Sequence, residues 1–197
     1  MRELELKAVV HDLDALLVLV RHAGGVARES GSLYDRRFDT ADRSLRARDV
    51  VLRVRRFQGR PRDYATLDWK GAAHHESGYK EREEVSLGIA DADAAVRILQ
   101  ELGFRVSFEI ERSIDVFELH GATVRFERYA RMDTLVEVEG EPAAIERAIA
   151  ALAMPRRAFS TGRLADFASA FERRTGTRAA LSAAELNAAA AYVRDDA

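Results

Sequence analysis

The sequence predicts an α+β fold in which antiparallel strands curl into a closed barrel with a charged interior, accompanied by helices. Two observations lead to this prediction. Most segments before residue 140 alternate apolar with ionised residues, which is the pattern of strands that have one apolar face. The ionised faces carry mainly Arg, Lys and Glu, and so many charges are tolerable in an interior only if they pair with one another or with bound ions and ligands.

The first strand shows this pattern most clearly. Glu3, Glu5 and Lys7 are two residues apart, so their side chains share one face of the strand, whereas Leu4 and Leu6 point to the other. Two neighbouring carboxylates repel each other unless a cation lies between them, and Mg²⁺ is commonly held by one or two carboxylates together with substrate phosphates. Taken alone, the segment is explained more simply as a solvated edge strand, but the rest of the chain favours the cation site.

Further elements follow in order along the first half of the chain. Asp12 or Asp14 can cap a helix that runs through Val20 and ends at Gly24. A polar connection is expected over 40–49, and a hairpin turn is expected over 58–61, where Gly and Pro occur. The strands predicted in this half cover 26–39, with an interruption at Ser30-Gly31-Ser32, and 50–57, 63–70 and 80–87.

The second half of the chain changes character after residue 140. A helix is predicted from Asp91 to Leu102, followed by strands over 105–119, 122–129 and 134–139. The chain then becomes rich in alanine, and helices are predicted over 143–152, 162–174 and 182–193, the last with a capping box of Ser182 and Glu185. We therefore predict a barrel domain over 1–140 and a helical segment over 141–197 that packs on it.

Composition excludes several kinds of site and partner. The 197 residues include no Cys, so disulfides and thiolate sites are excluded and any metal must be bound by oxygen or imidazole. The 31 basic and 33 acidic residues alternate instead of forming blocks, which argues against a nucleic-acid partner. Apolar runs such as 16–20 are too short to span a bilayer, and the acidic first residues differ from a signal peptide. A cytoplasmic protein without a membrane partner is expected.

The shared faces of the later strands also collect ionised residues. Arg53 and Arg55 point to one face of their strand, while Leu52 and Val54 point to the other. Arginine suits phosphate oxygens because its planar fork presents several hydrogen-bond donors. The other residues placed on such faces are Lys70, Arg82, Glu84, Arg112, Arg125, Glu127, Glu137 and Glu139.

Taken in order, these segments resemble the CYTH family, also called triphosphate tunnel metalloenzymes. The residues that carry the resemblance are Glu3-x-Glu5-x-Lys7, Phe38-Asp39-Thr40, Leu52-Arg53-Val54-Arg55, Thr66-x-x-x-Lys70, Arg82-Glu83-Glu84, Arg112 and Glu137-Val138-Glu139. The family includes class IV adenylate cyclases, thiamine triphosphatases and inorganic tripolyphosphatases. The resemblance implies an eight-stranded antiparallel barrel, open at both ends, with a linear triphosphate in its tunnel.

The resemblance also implies roles for individual residues. A divalent cation, Mg²⁺ or Mn²⁺, is expected as the cofactor, and its implied ligands are Glu3, Glu5, Glu84, Glu127, Glu137 and Glu139. The implied phosphate-binding set is Lys7, Arg53, Arg55, Lys70, Arg82, Arg112 and Arg125, and the implied catalytic residues are Glu3, Glu5 and Lys7. The sequence departs from the family pattern at Arg37, where Tyr is frequent, at Ile110, where a basic residue is usual, and at Glu127, where Asp is usual.

Two enzymatic functions and one binding function are compatible with these residues. Hydrolysis of a linear triphosphate, most directly inorganic tripolyphosphate, is the predicted activity, in which water attacks the terminal phosphoryl group. The alternatives are a class IV adenylate cyclase, which converts ATP to cyclic AMP, and a thiamine triphosphatase. A non-catalytic polyphosphate or nucleotide sensor is disfavoured because the carboxylates are present. A small-molecule triphosphate is the expected partner, and a homodimer is the assembly considered.

Overall fold

The computed structural model describes residues 2–76 and 79–189, in which nine strands form one antiparallel sheet. The short strand β5 is an addition to the predicted set. The strands are β1 (Arg2–Val10), β2 (Val26–Asp39), β3 (Val51–Arg60), β4 (Tyr64–Lys70), β5 (His74–Glu76), β6 (Tyr79–Ile89), β7 (Arg105–Leu119), β8 (Ala122–Tyr129) and β9 (Thr134–Glu139).

The described part of the chain also contains six α-helices. Asp12 and Asp91 cap the first and third of them, because each carboxylate accepts a hydrogen bond from the backbone N–H of a residue in the first turn. In this part of the chain, no helix is both long enough and apolar enough to cross a membrane. The helices are α1 (Leu13–His22), α2 (Ser44–Ala47), α3 (Ala92–Glu101), α4 (Pro142–Ala151), α5 (Leu164–Thr175) and α6 (Ala183–Leu186).

Eight of the strands close into a ring. The hydrogen-bonded order is β1, β9, β8, β7, β2, β3, β4 and β6, and β6 pairs back with β1 over residues 2–5 of β1. β5 extends the sheet as a short hairpin with β6. The predicted antiparallel barrel is therefore confirmed, and inward-facing side chains described for these eight strands surround one interior.

β2 continues without a break, so the interruption predicted at Ser30-Gly31-Ser32 is wrong. Gly31 lies opposite Gly59 in the pairing of β2 with β3. A Cβ atom on Gly31 would lie only 2.2 Å from the carbonyl oxygen of Gln58. Glycine is required here because the two strands approach each other closely, and not because the chain turns.

Helices cover the outside of the ring on two sides. α3 packs on one side, where Val96 and Leu99 share an apolar cluster with Val54 of β3. α1 and α4 pack on β1, β8 and β9, and the largest buried cluster forms there. Because apolar residues of each strand point outward to these helices, the ionised residues that alternate with them point into the ring.

Part of the ring interior is nevertheless apolar. Leu33, Phe57 and Ile114 are each at most 2% exposed and stand on the inward faces of β2, β3 and β7. Tyr64 stacks on Phe57, with ring centroids 4.9 Å apart. These side chains form the apolar boundary of the charged part of the interior, on the side of β2, β3 and β7.

The polar connection predicted over 40–49 contains the short helix α2. The carboxylate of Asp39 accepts hydrogen bonds from the backbone N–H groups of Leu45, at 2.9 Å, and Arg46, at 3.0 Å. Asp39 therefore satisfies the first turn of α2. This arrangement fixes the connection against the end of the ring and brings Asp49 to the edge of the interior.

The C-terminal segment contacts the ring through backbone hydrogen bonds. Ser160 and Lys7 exchange two of them, at 2.9 and 2.8 Å, beyond the last β1 residue that pairs with β6. Ala180 forms a similar bridge with Arg131. The division of the chain at residue 140 stays a prediction.

The last predicted helix is shorter than expected. Ser182 accepts a hydrogen bond from the backbone N–H of Glu185, at 3.2 Å, as the capping box predicts. The helix α6 ends at Leu186, so the prediction is wrong over 187–189, and its remaining residues, 190–193, lie outside the described part of the chain.

Candidate functional site

A charged cavity of about 520 Å³ occupies the ring interior. Its wall contains the whole predicted phosphate-binding set and every predicted metal ligand except Glu3, whose side chain lies outside the described part of the structure. The predicted residues that line it are Lys7, Arg53, Arg55, Lys70, Arg82, Arg112 and Arg125 among the cations, and Glu5, Glu84, Glu127, Glu137 and Glu139 among the carboxylates.

Strand register explains why these side chains meet. Arg53 and Arg55 alternate with outward-facing Val54 on β3, and Arg53 stands opposite Asp68 of β4. Arg53 donates to the Asp68 carboxylate from Nε at 2.9 Å and from Nη2 at 2.7 Å. Both hydrogen bonds go to Oδ2 of Asp68, so they use one edge of the guanidinium group and hold it in a fixed direction.

Asp35 of β2 is the central carboxylate of the basic wall, and the sequence analysis missed it. Its side chain is fully buried and accepts hydrogen bonds from three arginines. Arg55 contacts it at 2.7 and 2.9 Å, Arg112 at 3.0 Å and Arg53 at 3.4 Å. Burial alone would raise the pKa of the Asp35 carboxyl, but the three guanidinium groups hold that pKa well below its usual range.

The contacts with Asp35 orient the three arginines in advance of ligand binding. A guanidinium group carries five N–H donors, so an arginine that is oriented by a carboxylate through one edge can still bind an anion through another. Asp35 thus aligns three arginines toward one cavity before any anion is bound. A signal for Asp35 exists in the sequence, because it stands two residues before Arg37 on the same strand face.

A second group of contacts forms an acidic cluster on the opposite strands, made of Glu5, Glu137 and Glu139. One carboxylate oxygen from each lies within 4.8 Å of the others. Lys7 contacts Glu5 at 2.9 Å and Glu137 at 2.5 Å, and Arg125 contacts Glu137 at 2.7 Å. The strand register produces the cluster, because β1 and β9 pair Glu5 with Glu139 and Lys7 with Glu137.

The pKa values of Glu137 in the acidic cluster and of Lys7 beside it are strongly shifted. Burial would raise the pKa of the Glu137 carboxyl, but Lys7 and Arg125 hold it well below its usual range. Burial would lower the pKa of the Lys7 ammonium, whereas Glu137 and Glu5 raise it above its usual range. Glu137 and Lys7 are therefore ionised at neutral pH. Three carboxylate oxygens at the spacing of this cluster suit a hard divalent cation.

Glu84 and Glu127, two other predicted metal ligands, are not part of this cluster. Glu84 forms an ion pair with Lys70. Glu127 accepts hydrogen bonds from Arg112 at 2.8 Å and from the hydroxyl of Tyr129 at 2.5 Å. The structure thus brings Glu5, Glu137 and Glu139 together, and it places Glu84 and Glu127 beside phosphate-binding candidates.

Arg37 and Ile110, at which the sequence departs from the pattern of the resemblance, both line the cavity. The Arg37 guanidinium lies 5.9 Å from the ring centroid of Phe108. Burial lowers the pKa of Arg37 to about 10, and the nearby arginines Arg53 and Arg112 add to this effect. Ile110 is 2% exposed and stands opposite Asp35 in the sheet, so an apolar side chain occupies the position where the resemblance implies a basic residue.

Further charged residues that line the cavity were not predicted, and they include Asp49 and Arg163. Asp49 follows α2, and Arg163 precedes α5, 114 residues later in the chain. No local pattern in the sequence indicates that these two residues meet, because their contact depends on how the C-terminal segment packs.

Comparison with known proteins gives one family match. A model of the CYTH domain matches residues 1–149. No curated protein matches the chain.

Several solved structures share the fold at low sequence identity. A candidate adenylate cyclase from Vibrio parahaemolyticus has a TM-score of 0.71 and 20% identity, over 85% of this chain and 97% of its own. A protein from Pyrococcus horikoshii OT3 has a TM-score of 0.68 and 16% identity, over 84% and 98% of the two chains. A candidate adenylyl cyclase from Hippeastrum, described as having a dominant triphosphatase activity, has a TM-score of 0.61 and 16% identity, over 92% and 98%.

Proposed function

Because this chain belongs to the CYTH domain family, we propose that it is a metal-dependent phosphohydrolase that cleaves a linear triphosphate, most directly inorganic tripolyphosphate. One observation carries the proposal. The same cavity holds three preorganised arginines around Asp35 and the acidic cluster of Glu5, Glu137 and Glu139. A site with a basic wall and a carboxylate cluster is suited to a polyanion that binds together with a divalent cation.

The basic wall supplies the binding energy for the substrate. A triphosphate carries several negative charges, and it leaves water only if fixed positive charges replace its hydration. Arg53, Arg55 and Arg112 provide planar forks for phosphate oxygens, and Lys70 and Arg82 extend the positive charge toward the cavity edge. The apolar boundary beside Phe57 limits the length of chain that fits on this side.

The acidic cluster is the proposed site of the cation. Glu5, Glu137 and Glu139 would hold Mg²⁺ or Mn²⁺, which would neutralise charge that develops on the phosphate oxygens. Lys7 and Arg125 orient these carboxylates through the ion pairs described above. The role of Glu3 as a further ligand remains a proposal.

The proposed reaction is an in-line displacement at the terminal phosphoryl group. Water attacks that phosphorus atom, the bond to the bridging oxygen breaks, and orthophosphate and pyrophosphate leave. The arginines keep the phosphate chain aligned, so the contribution of the protein is mainly position and electrostatic stabilisation.

A class IV adenylate cyclase is the second candidate, because the Vibrio parahaemolyticus neighbour is named as a candidate adenylate cyclase. The Hippeastrum neighbour, with its described triphosphatase activity, supports hydrolysis instead. The charged lining of the cavity also favours recognition of phosphate groups over recognition of a base. A cytoplasmic location and a homodimeric assembly stay predictions.

A side-by-side assay with tripolyphosphate, thiamine triphosphate and ATP tests the proposed activity. With Mg²⁺ or Mn²⁺, we expect tripolyphosphate to be preferred over ATP by at least about tenfold in kcat/KM, because the nucleoside adds bulk without a matching site. Orthophosphate, pyrophosphate and cyclic AMP are quantified separately, and a chelator serves as the control. Formation of cyclic AMP from ATP at a higher rate than tripolyphosphate cleavage would replace the hydrolase by the cyclase.

A further inference from the structure

Arg163 belongs to the C-terminal segment, beyond the residues that match the CYTH domain, yet it lines the charged cavity. It immediately precedes α5, and its side chain is 51% exposed. Asp49, which follows α2, contacts both Arg163 and Arg82. We use the term mouth for this part of the cavity lining, which is formed by Asp49, Arg82 and Arg163.

The backbone on both sides of Arg163 is anchored to the ring. Ser160 pairs with Lys7 through two backbone hydrogen bonds. Leu164 is 9% exposed and packs in an apolar cluster with Phe108 and Ile110 of β7. The position of Arg163 at the mouth is therefore set by the fold, although its side chain extends toward solvent.

Asp49 connects Arg163 with a predicted phosphate-binding residue. Its Oδ1 atom accepts hydrogen bonds from Nη2 of Arg82 at 2.9 Å and from Nη2 of Arg163 at 3.1 Å. Its Oδ2 atom accepts from the backbone N–H of Ala73 at 2.7 Å. Two guanidinium groups thus converge on one oxygen atom at the edge of the cavity.

The electrostatics of this contact favour an anion between the two arginines. Burial would raise the pKa of the Asp49 carboxyl, but the Ala73 N–H and the two guanidinium groups hold it below its usual value. The carboxylate therefore occupies a place that suits any anionic oxygen of similar size, including a phosphate oxygen.

We propose that Arg163 is a phosphate-binding residue at the mouth, and that it and Arg82 exchange the Asp49 carboxylate for the outer phosphate of the substrate. This inference rests on the proposed function, since it assigns a residue to the same triphosphate site. It adds a contact from outside the matched domain. The C-terminal segment would then contribute to substrate affinity as well as to packing.

The alternative is that Arg163 only links the C-terminal segment to the α2 connection. An ion pair as exposed as this one contributes little to stability. A purely structural link would therefore leave the affinity for substrate unchanged. Substrate affinity separates the two roles, because only a phosphate contact alters it.

The test compares Arg163→Gln with Arg157→Gln, a control that removes the same charge from the exposed 3-10 turn just upstream. For Arg163→Gln, we expect KM for tripolyphosphate to rise about five- to tenfold, with kcat within about twofold of the wild-type value, because a charged hydrogen bond to the bound substrate is lost. The dissociation constant of tripolyphosphate with chelator present should rise by a similar factor. Arg163→Lys should recover part of the affinity, since an ammonium group also binds phosphate.

The outcomes separate this inference from the proposed function. If wild-type protein binds and cleaves tripolyphosphate while Arg163→Gln matches Arg157→Gln in KM and dissociation constant, the role of Arg163 is refuted and the proposed function stands. If wild-type protein neither binds nor cleaves tripolyphosphate, both are refuted. The melting temperature of each variant without ligand verifies that it is folded.

Discussion

Asp35→Asn is expected to lower the free energy of unfolding by about 3 kcal/mol, because removing one partner of a buried charge network leaves the others uncompensated. Arg53 would keep its contact with Asp68 and Arg112 its contact with Glu127, whereas the hydrogen bonds described for Arg55 are both to Asp35. For a chain of this size, such a loss corresponds to a fall in melting temperature of roughly 6–12 °C. Thermal denaturation measures it, and Asp93→Asn is the matched control because Asp93 forms ion pairs on the exposed surface.

Tripolyphosphate should reduce the destabilisation of Asp35→Asn. The variant has one fewer negative charge at the basic wall, and a bound polyanion supplies negative charge at the same place. The difference in melting temperature between wild-type protein and Asp35→Asn should therefore shrink as tripolyphosphate is added with chelator present. A variant that melts with the wild-type protein in the absence of ligand would show that Asp35 does not hold the arginines.

Glu137→Gln is expected to lower the turnover of tripolyphosphate by roughly 100-fold or more, because it removes a charged ligand from the proposed cation site. The fold should persist. The acidic cluster has three carboxylates near two cations, Lys7 and Arg125, so the loss of one negative charge leaves the remaining charges balanced. This variant should therefore lose activity while it remains folded, whereas the main effect expected for Asp35→Asn is a loss of stability.

Initial rates at saturating Mg²⁺ or Mn²⁺, together with melting temperatures, measure these two effects. Glu118→Gln is the control, because Glu118 is an exposed carboxylate that pairs with Arg28 on the surface. Glu5→Gln should act in the same direction as Glu137→Gln. Wild-type turnover in both Glu5→Gln and Glu137→Gln would refute the assignment of the cluster as the cation site.

The alternation of apolar and ionised residues was sufficient to predict much of the ring. It places Arg53 and Arg55 inside because Val54 must face α3, and it places Glu137 and Glu139 inside because Val138 belongs to the outer core. The side of a strand on which a residue lies depends only on local spacing, so sequence alone determines it once one face is apolar.

Contacts between strands could not be predicted in the same way. Asp35 was missed although it shares a strand face with Arg37, because no local pattern indicates that three arginines of the neighbouring strands converge on it. Gly31 gives no local sign that it lies opposite Gly59, which is the reason for the glycine. The contacts of Glu84 with Lys70 and of Glu127 with Arg112 could not be predicted for a related reason, because they depend on the register between strands.

The contribution of the C-terminal segment to the mouth is even harder to predict from sequence. Arg163 reaches Asp49 because Ser160 pairs with Lys7 and Leu164 packs beside Phe108. Neither contact has a sequence pattern of its own. Alanine-rich helices indicate a packed segment, but not which of their flanking residues face the ring.

Isothermal titration of wild-type protein with tripolyphosphate, in the presence of a chelator, tests most directly the claim that the basic wall of the cavity binds a linear triphosphate. We expect about one tripolyphosphate to bind per chain, with an affinity that falls as salt concentration rises, because fixed arginines and lysines supply the attraction. Arg55→Gln should weaken this binding, since Arg55 is held toward the cavity by Asp35. Absence of binding to the wild-type protein, at low salt and neutral pH, would contradict the account.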